Sequence, residues 1–100
     1  VSVRYVVRAE QQASFLHEMQ QLRLERTRDG ATHWYLYRSA EAEDVFLEVF
    51  HLRNWQDHLR QHERTTRSAA DVQQRIRALH AEDAPPEVRH WITPADESLF

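Results

Sequence analysis

The sequence predicts a small α+β domain, and this expectation rests on the order of its periodic segments. Segments in which apolar residues alternate, as in strands, are interleaved with segments in which they recur every three or four residues, as in helices. In chain order the segments run β-α-β-β-α-α-β. This order is the ferredoxin-like split βαβ arrangement, with one antiparallel sheet and the second helix in two pieces. We expect residues 1–100 to form one domain, because a chain of 100 residues has no room for two cores.

The first part of the chain predicts a strand, a long helix and a second strand. Every second residue of the opening segment V-S-V-R-Y-V-V-R is apolar, which places these side chains on one strand face: Val1, Val3, Tyr5 and Val7. From about residue 11 to residue 28 a helical stripe follows, formed by Phe15, Met19 and Leu22, with Leu16 at its flank. Gly30 ends this helix, because glycine readily takes the left-handed conformation. The aromatic segment H-W-Y-L-Y-R, residues 33–38, is typical of a strand.

The second part begins with the strongest strand signal of the chain, V-F-L-E-V-F-H-L at residues 45–52. Asn54 is a suitable N-cap for the helix that follows. Ser68 starts another predicted helix, with Asp71 three residues later as an approximate capping pair. The apolar face of that helix consists of Ala69, Val72, Ile76 and Leu79. Two prolines at residues 85–86 then break the chain before a last strand at residues 88–92.

Both faces of the predicted sheet are apolar or aromatic, whereas a solvated face should be polar at alternate positions. In the second strand Trp34 and Leu36 oppose His33, Tyr35 and Tyr37, and in the third Val45, Leu47 and Val49 oppose Phe46, Phe50 and Leu52. Only Glu48 interrupts this pattern, and we expect an arginine partner or solvent at a sheet edge for it. Helices cover one face, so we expect a second copy to cover the other, giving a homodimer with a barrel-like interior. A monomer with scattered surface aromatics is the alternative.

Composition excludes several classes of function. The chain contains no cysteine, which removes disulfides, thiolate nucleophiles and cysteine-based metal sites. Its formal net charge of −3 does not suit a nucleic-acid-binding protein, which needs a basic surface. No apolar run approaches the roughly 20 residues that cross a bilayer, and no signal peptide is visible. We therefore expect a cytoplasmic location and no nucleic-acid partner.

Two histidines four residues apart, His58 and His62, lie in the segment N-W-Q-D-H-L-R-Q-H-E-R, residues 54–64. On a helix this spacing brings two imidazoles together, as in zinc-binding helices. A zinc site needs at least one more ligand, and Leu59 occupies the position of the general-base glutamate in zinc-protease helices. The sequence thus predicts no metal site and no cofactor.

A pocket for a small aromatic ligand between sheet and helices is a second interpretation of these residues. His62 faces inward on its helix and would be the acid or base if the protein is an enzyme. The other candidate pocket residues are Trp34, Tyr35, Tyr37, His51, Trp55 and His58. In the simpler alternative, His62 packs on the sheet as a hydrogen-bonded side chain without a chemical role.

Two family resemblances bear on these alternatives. The run from residue 45 to residue 64 resembles the dimeric α/β barrel superfamily, which contains the antibiotic-biosynthesis monooxygenases, and Glu48, Trp55 and His62 match its pattern. A second resemblance rests on four segments, V-R-Y-V-V (3–7), R-D-G-A (28–31), W-x-x-H-L-R-Q-H-E-R (55–64) and A-P-P-E-V-R-H-W-I (84–92). With these segments, nearly the whole chain is similar to the soluble C-terminal domain of transmembrane secretion effectors, exporters of the major facilitator superfamily that are similar to enterobactin exporters.

These resemblances imply a ferredoxin-like fold, a dimer, and a chain excised from the C-terminus of a longer membrane permease, which suits the absence of a starting methionine. The resemblances do not settle the function, and our leading interpretation is a non-catalytic dimerisation or regulatory domain on the cytoplasmic side of the inner membrane, with ligand sensing as an additional role. The alternative is a cofactor-independent monooxygenase that acts on an aromatic small molecule, with His62 as acid or base. A haem-binding relative, with His80 on the later helix, is a third and weaker alternative.

Overall fold

A computed structural model describes residues 1–56, 59 and 66–94 of the chain. A 3₁₀ turn, Ala9–Gln11, leads into the first helix. The regular elements are β1 (Ser2–Val6), α1 (Gln12–Arg28), β2 (Thr32–Arg38), β3 (Val45–His51), α2 (Arg67–Leu79) and β4 (Glu87–Arg89). Residues 55, 56 and 59 are also helical, whereas His58, His62 and most of the helix predicted from Asn54 lie outside the described residues.

The four strands form one sheet in the order β2-β3-β1-β4, and every neighbouring pair is antiparallel. Tyr5 lies opposite Phe46 in the β1–β3 pair, and Tyr37 lies opposite Leu47 in the β2–β3 pair. Both α1 and α2 pack on the same face of the sheet, because their buried residues share one core with those of β1 and β3. This architecture confirms the predicted ferredoxin-like α+β fold.

The core contains the apolar stripes that the sequence predicts on the helices and the first strand. Phe15 has no exposed surface, and its ring centroid lies 5.3 Å from that of Tyr5 and 5.0 Å from that of Phe46. The core residues are Val3, Tyr5, Val7, Phe15, Met19, Leu22, Phe46, Val72 and Ile76. Leu16, predicted at the flank of the stripe, is exposed. The predicted face assignment of α1 is thereby confirmed.

Several element boundaries differ from the sequence prediction, and two of these differences follow from contacts in the structure. Helix α2 begins one residue earlier than predicted, and its N-cap is Thr66, whose Oγ1 accepts a hydrogen bond from the Ala69 N–H at 3.1 Å. The Ser68 hydroxyl instead donates to Glu25 Oε1 on α1 at 2.9 Å, so Ser68 joins the two helices. Strand β4 ends at Arg89 rather than Ile92, because Arg89 already lies opposite Ser2, the first residue of β1.

No helix within the described parts of the chain combines the length and the apolar character needed to span a membrane. Gly30 takes a φ of 100° directly after α1, as predicted for the residue that ends this helix.

Replacement of Thr66 by alanine tests the capping assignment. The variant leaves the Ala69 N–H without its side-chain acceptor, so we expect the free energy of unfolding to fall by about 1 kcal/mol. Urea unfolding followed by circular dichroism measures this change. Ser14→Ala, an exposed position within α1, is the control and should change the value by less than about 0.5 kcal/mol. Equal effects of the two substitutions would contradict the assignment.

Candidate functional site

A buried carboxylate lies between the sheet and α1. Alternation along β3 points Phe46, Glu48 and Phe50 towards the helices, and the side chain of Glu48 has no exposed surface. Isolated burial of an ionised carboxylate is costly, so such groups are found with charged and hydrogen-bonding partners. The described residues provide four donated hydrogen bonds to Glu48.

The four donated bonds come from three different elements. Oε2 of Glu48 accepts from Trp34 Nε1 at 2.8 Å and from Arg26 Nε at 3.0 Å. Oε1 accepts from the Tyr5 hydroxyl at 2.9 Å and from Arg26 Nη2 at 3.3 Å. Arg26 thus forms a two-pronged ion pair, the geometry in which a guanidinium binds a carboxylate most strongly. We call Glu48, Arg26, Tyr5 and Trp34 the Glu48 cluster.

Electrostatics in the Glu48 cluster favour a charged Arg26 and a neutral Tyr5. Burial opposes the charge of Arg26, but the charge of Glu48 and its hydrogen bonds outweigh burial, and the pKa of Arg26 is raised. Burial raises the pKa of Tyr5 well above its usual value of 10.0, and the neighbouring charge of Glu48 raises it further. The guanidinium of Arg26 also lies 4.6 Å from the centroid of the Phe50 ring, which adds a cation–π contact.

The Glu48 cluster is suited to holding structure rather than to proton transfer. Both carboxylate oxygens of Glu48 are occupied by donors, so no lone pair is directed at a substrate position. A cavity of about 90 Å³ adjoins the cluster and is lined in part by Tyr5, Arg26, Gln73 and Arg77. This volume is well below the roughly 300 Å³ at which ordinary ligand pockets begin. The expected arginine partner of Glu48 is confirmed as Arg26.

The structure distributes the sequence-predicted pocket residues over three places. Trp34 lies on the helix-covered face, where it bonds Glu48 and packs against the core. Tyr35 and Tyr37 lie on the opposite face, each 53% exposed, with their rings stacked at 6.1 Å. His51 is exposed at the end of β3, and Trp55 lies beyond it. His58 and His62 lie outside the described residues.

The sheet face opposite the helices, which we call the open face, has an apolar and aromatic centre. Leu47 is 37% exposed there, beside the half-buried Val49 and the tyrosine pair. At one end the chain after β4 crosses β1, and Trp91 Nε1 donates to Ser2 Oγ at 2.8 Å. An open groove of about 510 Å³ runs between Leu47, Val49 and this terminal segment.

A second groove, of about 260 Å³, lies at the end of the sheet between the chain after β3 and the chain after β4. Trp55 contacts His90 edge to face there, with ring centroids 5.3 Å apart. Sequence reasoning missed His90 and Trp91 as lining residues of this groove. The signal available was the H-W pair directly after the last strand, but only the fold brings that pair next to Trp55.

The protonation state of Tyr5 predicts how stability depends on pH. A tyrosine of the unfolded chain ionises near about pH 10, whereas the pKa of folded Tyr5 lies higher. Below about pH 10 both states keep the Tyr5 proton, and the contribution of Tyr5 to the free energy of unfolding is complete. Above about pH 10 the unfolded chain loses this proton while the folded chain keeps it, so that contribution falls. We therefore expect the free energy of unfolding to fall more steeply for the parent than for Tyr5→Phe between about pH 10 and 11.

Urea unfolding at a series of pH values measures these slopes. Tyr37→Phe is the matched control, because Tyr37 is half exposed and lies outside the Glu48 cluster. Identical slopes for the parent and Tyr5→Phe would contradict a neutral, buried Tyr5.

Comparisons with known proteins agree with this architecture. The structure is similar to an antibiotic biosynthesis monooxygenase-like protein from Bordetella bronchiseptica, with 22% identity over 93% of both chains and a TM-score of 0.75. It is also similar to a conserved protein from Methanosarcina mazei Go1, with 16% identity, coverage of 86% of this chain and 82% of that chain, and a TM-score of 0.71. A monooxygenase-like protein from Nitrosomonas europaea has 15% identity, coverage of 93% and 88%, and a TM-score of 0.71.

At these identities the structural likeness establishes the fold alone. No curated protein matches the sequence. The family model described as transmembrane secretion effector matches residues 1–98, nearly the entire chain. The chain therefore belongs to the transmembrane secretion effector family.

Proposed function

We propose that this chain is a dimerisation or regulatory domain of a major facilitator exporter, located on the cytoplasmic side of the membrane. Membership of the transmembrane secretion effector family supports the link to an exporter. The observation on which the proposal rests is the open face of the sheet. In our proposal two copies associate through this face.

The chemistry of the open face suits a second copy of the chain as its occupant. The stacked Tyr35 and Tyr37 lie with Leu47 at its centre, and tyrosine is enriched at protein interfaces. Arg4 of β1 lies opposite Leu47, and its charge is paired within the chain with Glu82 at 3.3 Å. Further charged side chains lie on the edge strand β4, where Arg89 pairs with Glu87. An apolar centre with a polar rim is the usual anatomy of an interface.

Sheet geometry also favours a second copy over an unrelated partner. Two antiparallel sheets pack face to face when their side chains interdigitate, and a two-fold axis lets one surface complement itself. Each protomer then covers with its own Tyr35, Tyr37 and Leu47 the same residues of its partner. Both faces of the sheet are buried in such a dimer, which accounts for the apolar pattern on both sides of β2 and β3.

Ligand sensing belongs, in this proposal, to the groove at the end of the sheet. Trp55, His90 and Trp91 offer aromatic surfaces to a small planar molecule there. A monooxygenase function has less support. Trp34 and the tyrosine pair lie on opposite faces of the sheet, so one pocket within a single chain does not contain all the predicted aromatic residues.

Sedimentation equilibrium of the 100-residue chain tests the dimer. We expect the parent to be dimeric and Leu47→Arg to be monomeric but folded, because the substitution places a charge at the centre of the interface. Leu24→Arg is the matched control. Leu24 is 61% exposed on α1, on the other side of the sheet, so this variant should remain dimeric.

Circular dichroism separates loss of the dimer from loss of the fold, since the proposal expects the parent helical signal in both variants. A parent that stays monomeric at high concentration would overturn the dimer. Equal dissociation of the Leu47→Arg and Leu24→Arg variants would also overturn the assignment of the interface to the open face.

A further inference from the structure

His33 has an unusual backbone conformation at the start of β2. Its φ is 52°, and within the described residues it is the only residue other than glycine with a positive φ. The pairing of β2 with β3 shifts between Thr32 and Tyr35, so β2 contains one extra residue there, a β-bulge. Left-handed conformations of this kind cost free energy, and they recur where a bulge redirects a side chain.

The bulge is accompanied by a close contact between two imidazole rings. Thr32 lies opposite His51 in the sheet, and the ring centroids of His33 and His51 are 4.9 Å apart with an angle of 34° between their planes. Both histidines are exposed at the surface. Two imidazoles this close on neighbouring strands can offer two nitrogen ligands to one metal ion once their rings rotate so that the nitrogen lone pairs converge.

Thr32 supplies the supporting contact that histidine ligands commonly have. Nδ1 of His33 lies 3.1 Å from Thr32 Oγ1. In the tautomer with its proton on Nδ1, the ring donates to Thr32 and presents an unprotonated Nε2 to solvent. Metal-binding histidines are oriented in this way by a hydrogen bond from their other ring nitrogen.

We propose that His33 and His51 form a surface site for a divalent transition-metal ion of the class that imidazole binds, such as Cu²⁺ or Zn²⁺. The described residues contain no group of three or more histidine, aspartate or glutamate side chains that could hold a metal. In our proposal the two imidazoles are the protein ligands from the described part of the chain, and water completes the coordination sphere. Cu²⁺ binds most tightly among the first-row divalent ions. Both ligands belong to one chain, and His51 lies on the open face beside the groove that Leu47 and Val49 line.

Titration of the 100-residue chain with Cu²⁺ at about pH 7.5, where an ordinary histidine is mostly neutral, tests the site. All variants are made in a His58→Gln/His62→Gln background, because that pair has the i, i+4 spacing of another two-histidine ligand set. His33→Asn removes one ligand with a residue that tolerates the left-handed backbone. His51→Gln removes the other.

We expect His33→Asn and His51→Gln each to weaken Cu²⁺ binding by roughly tenfold or more, because loss of a residue that only supports a metal ligand already weakens binding by at least about tenfold. Thr32→Val, which keeps both ligands but removes the supporting hydroxyl, should weaken it by about tenfold. His17→Gln is the matched control, since His17 is an exposed histidine on α1, and it should bind as the background protein does.

Two further readouts separate this site from general metal binding. Paramagnetic broadening by substoichiometric Cu²⁺ should affect the imidazole signals of His33 and His51 before that of His17. Thermal unfolding without metal should be similar for the background protein, His51→Gln and His17→Gln. Unchanged Cu²⁺ affinity in both His33→Asn and His51→Gln, or an equal loss in His17→Gln, would overturn the proposal.

Discussion

The ion pair of Glu48 with Arg26 is the constraint on which the remainder of the structure depends. Burial of a carboxylate costs several kcal/mol unless partners compensate for the lost water, and here β1, β2 and α1 each contribute a donor. The Glu48 cluster therefore connects β1, β2 and α1 to β3, which carries Glu48. A slip of β3 by one residue would turn Glu48 to the open face and leave Arg26, Tyr5 and Trp34 without their acceptor.

The two faces of the sheet differ in what covers them. The helix-covered face is occupied by the core and the Glu48 cluster, whose oxygens are already bonded. The open face keeps Tyr35, Tyr37 and Leu47 at the surface, where they are available to a partner. Our proposal of a dimerising or regulatory exporter domain rests on this difference between the two faces and on membership of the transmembrane secretion effector family. At 22% and 15% identity to this chain, the two monooxygenase-like proteins show that the fold is shared and no more.

Sequence periodicity predicted the features that depend on local alternation, namely the order of the strands and helices and the stripe of α1. An arginine partner for Glu48 was one of two expected alternatives, whereas its complete burial was not predicted. Features that depend on contacts between elements distant in the sequence were not predictable. Thr66 caps α2 while the Ser68 hydroxyl donates to Glu25 on the other helix, and β4 ends opposite Ser2, where β1 begins. The His33–His51 contact arises from an extra residue in β2, which no regular pattern encodes. The division of the candidate pocket, in contrast, follows from alternation along β2 that is visible in the sequence, because it sends Trp34 and its tyrosine neighbours to opposite faces.

A double-mutant cycle between Arg26 and Glu48, followed by urea unfolding at one fixed protein concentration, tests the central claim most directly. Arg26→Met alone leaves a buried carboxylate without its cation and should cost about 3–5 kcal/mol. With Glu48→Gln also present the uncompensated charge is gone, so the double variant should be more stable than the sum of the single effects predicts, by about 1–3 kcal/mol. Additive effects, within about 0.5 kcal/mol, would contradict the account.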